Sequence, residues 1–335
     1  MKKIICFASR PFNNTRNDVR YVQCTDEYNL IDRFLEYWKT NTPEVITGWN
    51  CELYDIPYIA GRFERILGTK DTRRLSPWKN VRRKEFVIQG REQISYEIAG
   101  VSVIDYLDLY KKFTYKAQES YRLDYIASVE LGQKKLDHSE FDTFKDFYTK
   151  DYQRFVEYNI QDVELVDKLE DKMKLIELHL TMAYEAKVNY QDVFGQVRMW
   201  DTIIFNHLKS KNIVVPANKE SEKSRAYERA YVKDPVVGFH NWIVSFDLNS
   251  LYPHLIMQYN ISPETFVEPE NYSVSMRNLL GSNVSVDGLL TKQVDTSCLV
   301  NESVTVTPNG QFFRITEQGF LPEMMEKMYN DRTVY

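Results

Sequence analysis

An α/β fold with a mixed sheet follows from two features of the chain. Through the N-terminal third, short apolar runs of strand length alternate with amphipathic helical stretches, and Gly or Pro marks the joins. From about Phe144 to Lys187 one long helical pattern takes over.

Each element has its own signal. Ile4 to Phe7 is a first short strand. Thr25 stands where it can cap a helix whose apolar positions Ile31, Phe34, Leu35 and Trp38 fall at i, i+3, i+4 and i+7. Val45 to Asn50 reads as a strand running into a tight turn. A second helix carries Pro57 in its first turn, apolar Ile59, Phe63, Ile66 and Leu67, and Gly68 as its stop. Phe86 to Ile98 forms a hairpin broken at Gly90-Arg91, and Val101 to Ile104 a buried strand. In the long helical stretch, Tyr148, Tyr152, Phe155, Val156, Ile160, Val163, Val166 and Leu169 make one broad apolar face. Residues 210–225 turn polar, from Pro216 to Ser224, and read as a linker. Trp242 to Phe246 is a buried strand ending at Asp247, and residues 270–310, rich in Ser, Val, Thr and Asn, are β-rich.

Composition narrows the function. The 335 residues are 43% hydrophobic and 27% charged, with 12 Gly and 11 Pro, which excludes collagen-like and largely disordered chains. No run of about 18 apolar residues occurs, so no membrane-spanning helix is expected. The apolar stretch after Lys2-Lys3 is too short for a secretory signal. Cys6, Cys24, Cys51 and Cys298 lack CxxC spacing and the five His form no close pair, so any metal must be held by carboxylates, as Mg2+ or Mn2+ are. The net charge of −5 does not exclude nucleic acid, because such footprints are local. Lys70, Arg73, Arg74, Lys79, Arg82, Arg83 and Lys84 stand against the single acid Asp71, either as a solvated basic loop or as a DNA-facing patch.

Three acids sit where elements end or a face repeats. Asp55 stands at the mouth of the second helix, and is alternatively only its N-cap. Asp162 shares a helix side with Tyr158 one turn earlier, and is alternatively one charge on a polar stripe. Asp247 closes an apolar strand, from which a carboxylate can reach a cleft while its strand stays packed. Phosphoryl chemistry suits this pattern. Two divalent ions held by carboxylates from different elements stabilise both attacking and leaving oxygens, so no Ser or Cys nucleophile is needed. No Walker loop and no GxSxG is present, which removes P-loop NTPases and α/β-hydrolases.

The run Ser245-Phe246-Asp247-Leu248-Asn249-Ser250-Leu251-Tyr252-Pro253 resembles the first palm motif of family B DNA polymerases. Thr47-Gly48-Trp49-Asn50 to Asp55, and Tyr158-Asn159-Ile160-Gln161-Asp162, resemble that family's second and third proofreading-exonuclease motifs. Ser120 to Ile126 and Ile261-Ser262-Pro263-Glu264-Thr265 resemble its T-even-type phage branch. The resemblance implies a ribonuclease-H-like exonuclease domain, here residues 1–175, a helical connector and linker, 176–218, and the N-terminal part of a palm, 219–335.

It also implies roles. Asp55 and Asp162 would bind the metals of 3′→5′ exonuclease cleavage, and Tyr158 would orient the attacking water. Asp247 and the Leu248 carbonyl would bind the polymerase metals, of the two-ion Mg2+ or Mn2+ type. Backbone near Asn249, Ser250 and Leu251 would meet the triphosphate, and Tyr252 would pack under the sugar and select dNTPs. Arg73, Arg74, Lys79, Arg82, Arg83 and Lys84 become DNA-binding candidates. The implied partners are primer-template DNA, dNTPs and a sliding clamp, in a host-cell cytoplasm and without a membrane.

Departures from the family shape the expectation. No Asp-x-Glu precedes Asp55, where the first exonuclease motif belongs. Asp162-Val163-Glu164 has that spelling, but i and i+2 diverge by about 200° on a helix. His254 replaces a usual Ser, and Arg229 replaces Gly in the joint Tyr227 to Tyr231. The finger helix, the second palm Asp and the thumb belong beyond Tyr335. The expectation is a partial DNA-directed DNA polymerase, inactive alone. A second chain supplying fingers, the remaining palm and thumb would then meet an exposed apolar surface around Phe312, Phe313, Phe320 and Leu321. The alternatives are a non-catalytic DNA-binding subunit of a split polymerase, and an unrelated metal-dependent phosphoesterase.

Overall fold

The structure is a computed structural model, and it describes residues 3–88, 90–133, 140–215, 233–282 and 284–334. It divides into two compact units, Met1–Val214 and Val215–Tyr335. The first is mixed α/β. The residues 216–232, with most of the expected linker and Arg229, lie outside the described residues.

In the first unit, β1 (Ile4–Ala8) pairs in parallel with β2 (Val19–Gln23). Helix α1 (Glu27–Thr40) follows. Its cap is Asp26, one residue past the expected Thr25, and the Asp26 carboxylate accepts the Asn29 N–H at 2.8 Å. Ile31 and Leu35 are buried as the periodicity requires, and the Trp38 indole N–H donates to the Leu75 carbonyl at 2.8 Å. Strand β3 is only Val45–Ile46, after which the chain turns into α2 (Asp55–Ile66). Gly68, at φ 87°, ends that helical stretch, and a short α3 (Thr69–Thr72) follows.

The hairpin is longer than expected, β4 (Val81–Ile88) against β5 (Arg91–Ile98), with Gly90 at φ 77° in its turn. Strand β6 (Ser102–Val103) pairs in parallel with β3. Helices α4 (Tyr106–Phe113) and α5 (Leu123–Leu131) come next, and Gly132 at φ 67° stops the latter. The long helical stretch is three helices, α6 (Phe144–Lys150), α7 (Tyr152–Met173) and α8 (Leu175–Ala186). Asp151 caps α7, and Lys174 at φ 56° breaks it from α8. Helix α9 (Gln196–Ser210) completes the unit.

Helix α7 joins two cores. Val156 and Ile160 pack with Val19, whereas Leu165 and Leu169 pack with Leu109, Tyr110 and Ile126. The side chains buried on α4 and α7 pack with Trp49 of the turn between β3 and α2, and α1 packs on α2 through Phe34 against Phe63.

The second unit corrects three expectations. Trp242 to Phe246 is not a strand; residues 233–250 are extended coil and turn, with Trp242 98% and Phe246 91% exposed. A strand exists only when its N–H and C=O groups are paired and one face is covered, and no described strand pairs with this segment. Residues 270–310 are mainly helical: α10 (Leu251–Tyr259) is followed by α11 (Val274–Gly281), α12 (Val286–Leu290) and α13 (Ser297–Glu302). The Ser residues cap helices here rather than decorate strands, Ser273 accepting from Met276 N–H and Ser285 from Gly288 N–H. One hairpin remains, β7 (Val304–Val306) with β8 (Phe312–Arg314), before α14 (Phe320–Val334).

The third correction concerns the apolar surface expected near the C-terminus. Phe312 is fully buried and Phe313 nearly so, in a core with Val267, Leu279 and Leu299, and Phe320 and Leu321 are partly buried. The longest run of exposed apolar residues in this unit lies instead between Val236 and Leu248, with single ones such as Val274, Leu290 and Val300 scattered beyond it.

Among the described residues the strands form four two-stranded sheets, each wholly parallel or wholly antiparallel, so the expected single mixed sheet is divided. No described helix is long and apolar enough to cross a membrane.

Candidate functional site

The turn between β3 and α2 builds an acidic corner. Trp49 anchors it, its indole N–H donating to the Tyr121 carbonyl at 3.0 Å while its ring packs against Tyr106 and Tyr110. Asn50 takes a left-handed φ of 62°, and the Gly48 carbonyl accepts the Tyr106 N–H at 2.9 Å. Asp55 is the first residue of α2, with Tyr54 as the cap position, so it is not the N-cap that one reading made it. Its backbone lies at the positive end of the helix dipole.

The Asp55 side chain reaches solvent, yet protein crowding on one side pushes its pKa up, with the charges of Asp105 and then Asp162 adding to the rise. Asp162, on α7, lies near enough for its charge to be felt at Asp55. Tyr158 lies one turn before it, nearly buried, with its ring edge-on to Phe144 and Phe147. Glu52 joins them: burial raises its pKa, Asp108 and Asp105 raise it further, and Lys84 opposes. Glu164 points elsewhere and pairs with Arg16, in keeping with the helical divergence of Asp162 and Glu164.

The basic stretch is not one patch. The Arg74 guanidinium is engaged by Asp71 at 3.1 Å and by Glu36 and Asp32 of α1, which ties it to the fold. On β4, Arg83 pairs with Glu85 at 2.8 Å and Lys84 with Glu97 at 2.9 Å. Arg73 lies in the turn after α3, Lys79 at φ 55° just before the hairpin, and Arg82 on its first strand.

In the second unit the palm-like run is split between coil and helix. Asp247, Leu248 and Asn249 are exposed on coil, and Asp247 does not stand at the tip of a packed strand. Ser250, at φ 54°, has no side-chain cap bond to α10, so the first N–H groups of that helix, at Leu251 and Tyr252, lie at an uncapped positive end. Tyr252 is exposed. The His254 Nδ1–H donates to the Ser250 carbonyl, 2.9 Å away, and the ring sits against Tyr329 of α14.

Among the described residues no group of three or more His, Cys, Asp or Glu side chains is arranged to hold a metal ion. Asp55 and Asp162, oxygen donors in a corner of mutually repelling carboxylates, fit part of a Mg2+ or Mn2+ site; Asp247 by itself does not make one.

Residues 5–126 match the pattern described as DNA polymerase family B, exonuclease domain, and residues 193–335 match that described as DNA polymerase family B. This chain belongs to the family B DNA polymerases. It is 36% identical to the DNA-directed DNA polymerase of Escherichia phage RB69, over 93% of this chain and 33% of that protein. It is 33% identical to the DNA-directed DNA polymerase of Enterobacteria phage T4, over 94% of this chain and 33% of that one. A DNA polymerase delta catalytic subunit of Caenorhabditis elegans is 28% identical over 91% of this chain and 27% of its own length. The chain thus spans about a third of the length of the phage relatives it matches.

Two features of this family B chain escaped the sequence reading. Asp105, three residues after Ser102 in β6, is buried at the base of the acidic corner, and no motif marked it. The second is the structural role of the Ile261 to Thr265 run and of Asn260 before it. Asn260, at φ 55°, donates from Nδ2 to the Arg314 and Glu317 carbonyls at 2.6 and 2.8 Å and accepts the Gly319 N–H at 2.9 Å. Glu264 accepts the Phe320 N–H at 2.6 Å and so caps α14. The SPET spelling signalled this only as a resemblance, whereas a Pro between Ser and Glu signals a tight turn by itself.

Proposed function

We propose that this chain is the exonuclease and first palm portion of a DNA-directed DNA polymerase with 3′→5′ proofreading, acting in phage DNA replication in a host cytoplasm. The observation that carries the reading is the meeting of Asp55 and Asp162 in one acidic corner with Tyr158 a turn away. The domain assignment is a ribonuclease-H-like exonuclease at 1–175, a connector at 176–218 and palm at 219–335. Its substrates are primer-template DNA and dNTPs, and its clamp partner is that of the family.

In this mechanism Asp55 and Asp162 would hold divalent ions, Mg2+ or Mn2+, at the 3′-terminal phosphodiester, where a bound ion would supply activation of the attacking water and charge stabilisation for the leaving oxygen. The Tyr158 hydroxyl orients that water, and its edge-on packing against two Phe rings limits its motion. Asp247 and the Leu248 carbonyl would contribute ligands to the synthesis ions once the rest of the palm supplies the others. The free amides of Leu251 and Tyr252 and the Asn249–Ser250 backbone receive the triphosphate, and the Tyr252 ring packs under the sugar. Arg73, Lys79, Arg82, Arg83 and Lys84 face DNA, and Arg74 serves through the helix it braces.

The 335 residues alone are expected to extend no primer, since among the described residues Asp247 stands on exposed backbone and belongs to no group of three or more metal-ligating side chains. Incubation with primed DNA, dNTPs and Mg2+ tests this; template-dependent extension refutes it. Supplying the remaining palm, fingers and thumb as a second chain should restore extension that Asp247→Asn abolishes. Restored extension insensitive to Asp247→Asn would remove the palm assignment.

The exposed apolar segment from Val236 to Leu248 favours a second reading, a subunit of a split polymerase that binds DNA without catalysis. Under it, Asp55→Asn and Asp247→Asn leave DNA affinity unchanged apart from charge, and no second chain restores synthesis.

A further inference from the structure

We propose that Asp105 is the positioning residue of the acidic corner, the group that fixes the turn delivering Asp55; this rests on the exonuclease reading above. Asp105 is 3% exposed. One carboxylate oxygen, Oδ1, accepts two amides, Asn50 N–H and Leu107 N–H, both at 2.9 Å. The other, Oδ2, accepts the Glu52 N–H at 2.9 Å. The Leu107 bond is ordinary capping of α4. The bonds to Asn50 and Glu52 are not capping, because they cross to a different segment of the chain.

Those two amides belong to the turn that sets Asp55. Asn50 is held in the left-handed region at φ 62°, a conformation that costs a non-Gly residue energy and must be imposed from outside. Backbone bonds flank the clamp, Ile104 N–H to Ile46 O at 2.8 Å and Tyr106 N–H to Gly48 O at 2.9 Å. From the clamped turn, Tyr54 N–H reaches Asn50 O at 3.1 Å and Ile56 N–H reaches Cys51 O at 2.9 Å, which aims the first residue of α2. A carboxylate is the one side chain of this length able to accept all three amides at once. Burial pushes the Asp105 pKa up, and these three amide bonds to the carboxylate oppose that rise.

The variant Asp105→Asn isolates the clamp. Its amide oxygen keeps the Asn50 and Leu107 bonds, but its NH2 meets the Glu52 N–H, donor against donor. Asp105→Ser keeps a capping hydroxyl for Leu107 and gives up both crossing bonds. The test measures Mn2+ affinity of the full chain by electron paramagnetic resonance, together with amide hydrogen exchange and thermal melting. Asp55→Asn identifies the signal that belongs to the corner, and Leu299→Ala, in the core of the second unit, serves as a control that lowers stability without touching the core that holds the turn.

The expected result is at least a tenfold loss of the Asp55-dependent Mn2+ affinity in Asp105→Asn and a larger one in Asp105→Ser. Glu52 exchange accelerates in Asp105→Asn while Leu107 stays protected, and Leu299→Ala melts lower with its Mn2+ affinity intact. Unchanged affinity in folded Asp105→Asn and Asp105→Ser overturns the inference and leaves the exonuclease reading standing. A wild-type chain with no Asp55-dependent Mn2+ signal overturns the reading, and the inference with it.

Discussion

Asp55 at the start of α2 and Asp162 on α7 lie close enough that the second carboxylate helps hold the first one's pKa above the ordinary range. Burial is the larger cause and Asp105 the next. Helices from separate parts of the chain thus place two like charges together, an arrangement that favours a cation over an empty corner.

That repulsion sets a pH dependence. A carboxylate whose pKa is raised by folding binds its proton more tightly folded than unfolded. The stability it contributes is full below the unfolded value near 4 and is lost as pH rises through the raised value. Asp55→Asn should therefore melt above the wild type at pH 7, with the difference fading toward pH 4. A lower melting temperature for Asp55→Asn at pH 7 would contradict the crowding of charge described here.

His179 should act with the opposite sign. It is fully buried, its Nε2–H donates to the Tyr190 carbonyl, 2.6 Å away, and burial followed by the Lys112 charge lowers its pKa. The unfolded chain then binds the extra proton, so stability is lost as pH falls below about 6.5, with a slope of at most about 1.4 kcal/mol per pH unit. Urea titrations at a series of pH values, wild type against His179→Gln, check it: the slope between pH 6.5 and 5 should shrink in the variant.

The cap of α1 gives a local test. Asp26 accepts the Asn29 N–H, whereas Thr25 lies one residue outside and only donates to Asp26 at 3.3 Å. Asp26→Ala should cost about 1 kcal/mol and Thr25→Ala only a few tenths. Denaturant midpoints for the two variants decide between them.

In the second unit, Asn260 ties three backbone groups together across the approach to α14. Asn260→Ala strands two carbonyls and one N–H in a buried site and places Ala at a positive φ. A loss of about 2–4 kcal/mol is expected. A loss below about 0.5 kcal/mol in chemical denaturation would show that the network is not what holds this junction.

Trp242 and Phe246 should behave as surface residues of the isolated chain. Replacing both by Ser should leave its melting temperature within about 1 °C, since exposed side chains away from caps and cores contribute little. The same replacement should abolish synthesis restored by a second chain. A clear drop in melting of the isolated chain would show that the segment is packed after all.

Periodicity and caps made much of the first unit legible. The helical faces carrying Ile31 and Leu35, or Val156 and Leu169, follow from a 3.6-residue repeat, and Gly68, Gly90 and Gly132 stand at backbone angles that favour glycine. The palm-like segment was not legible in the same way. Trp242 to Phe246 has strand composition, but a strand is a relation between two segments, and composition cannot supply the second. Residues 270–310 misled for a related reason: Ser and Thr have strand-like frequency there but act as caps, a role set by position relative to a neighbouring turn.

The sequence by itself determined the family through the spelling of its motifs, the α/β class through its periodicities, and the carboxylates at stake: Asp55, Asp162 and Asp247. Only the tertiary structure decided which of them come near one another, and that Asp105, a residue with no motif of its own, is buried beside Asp55. The reason is distance in space. Motif spacing is written along the chain, but charge repulsion and hydrogen bonding act across a few ångströms between segments far apart in it, and those separations exist only once the helices have packed.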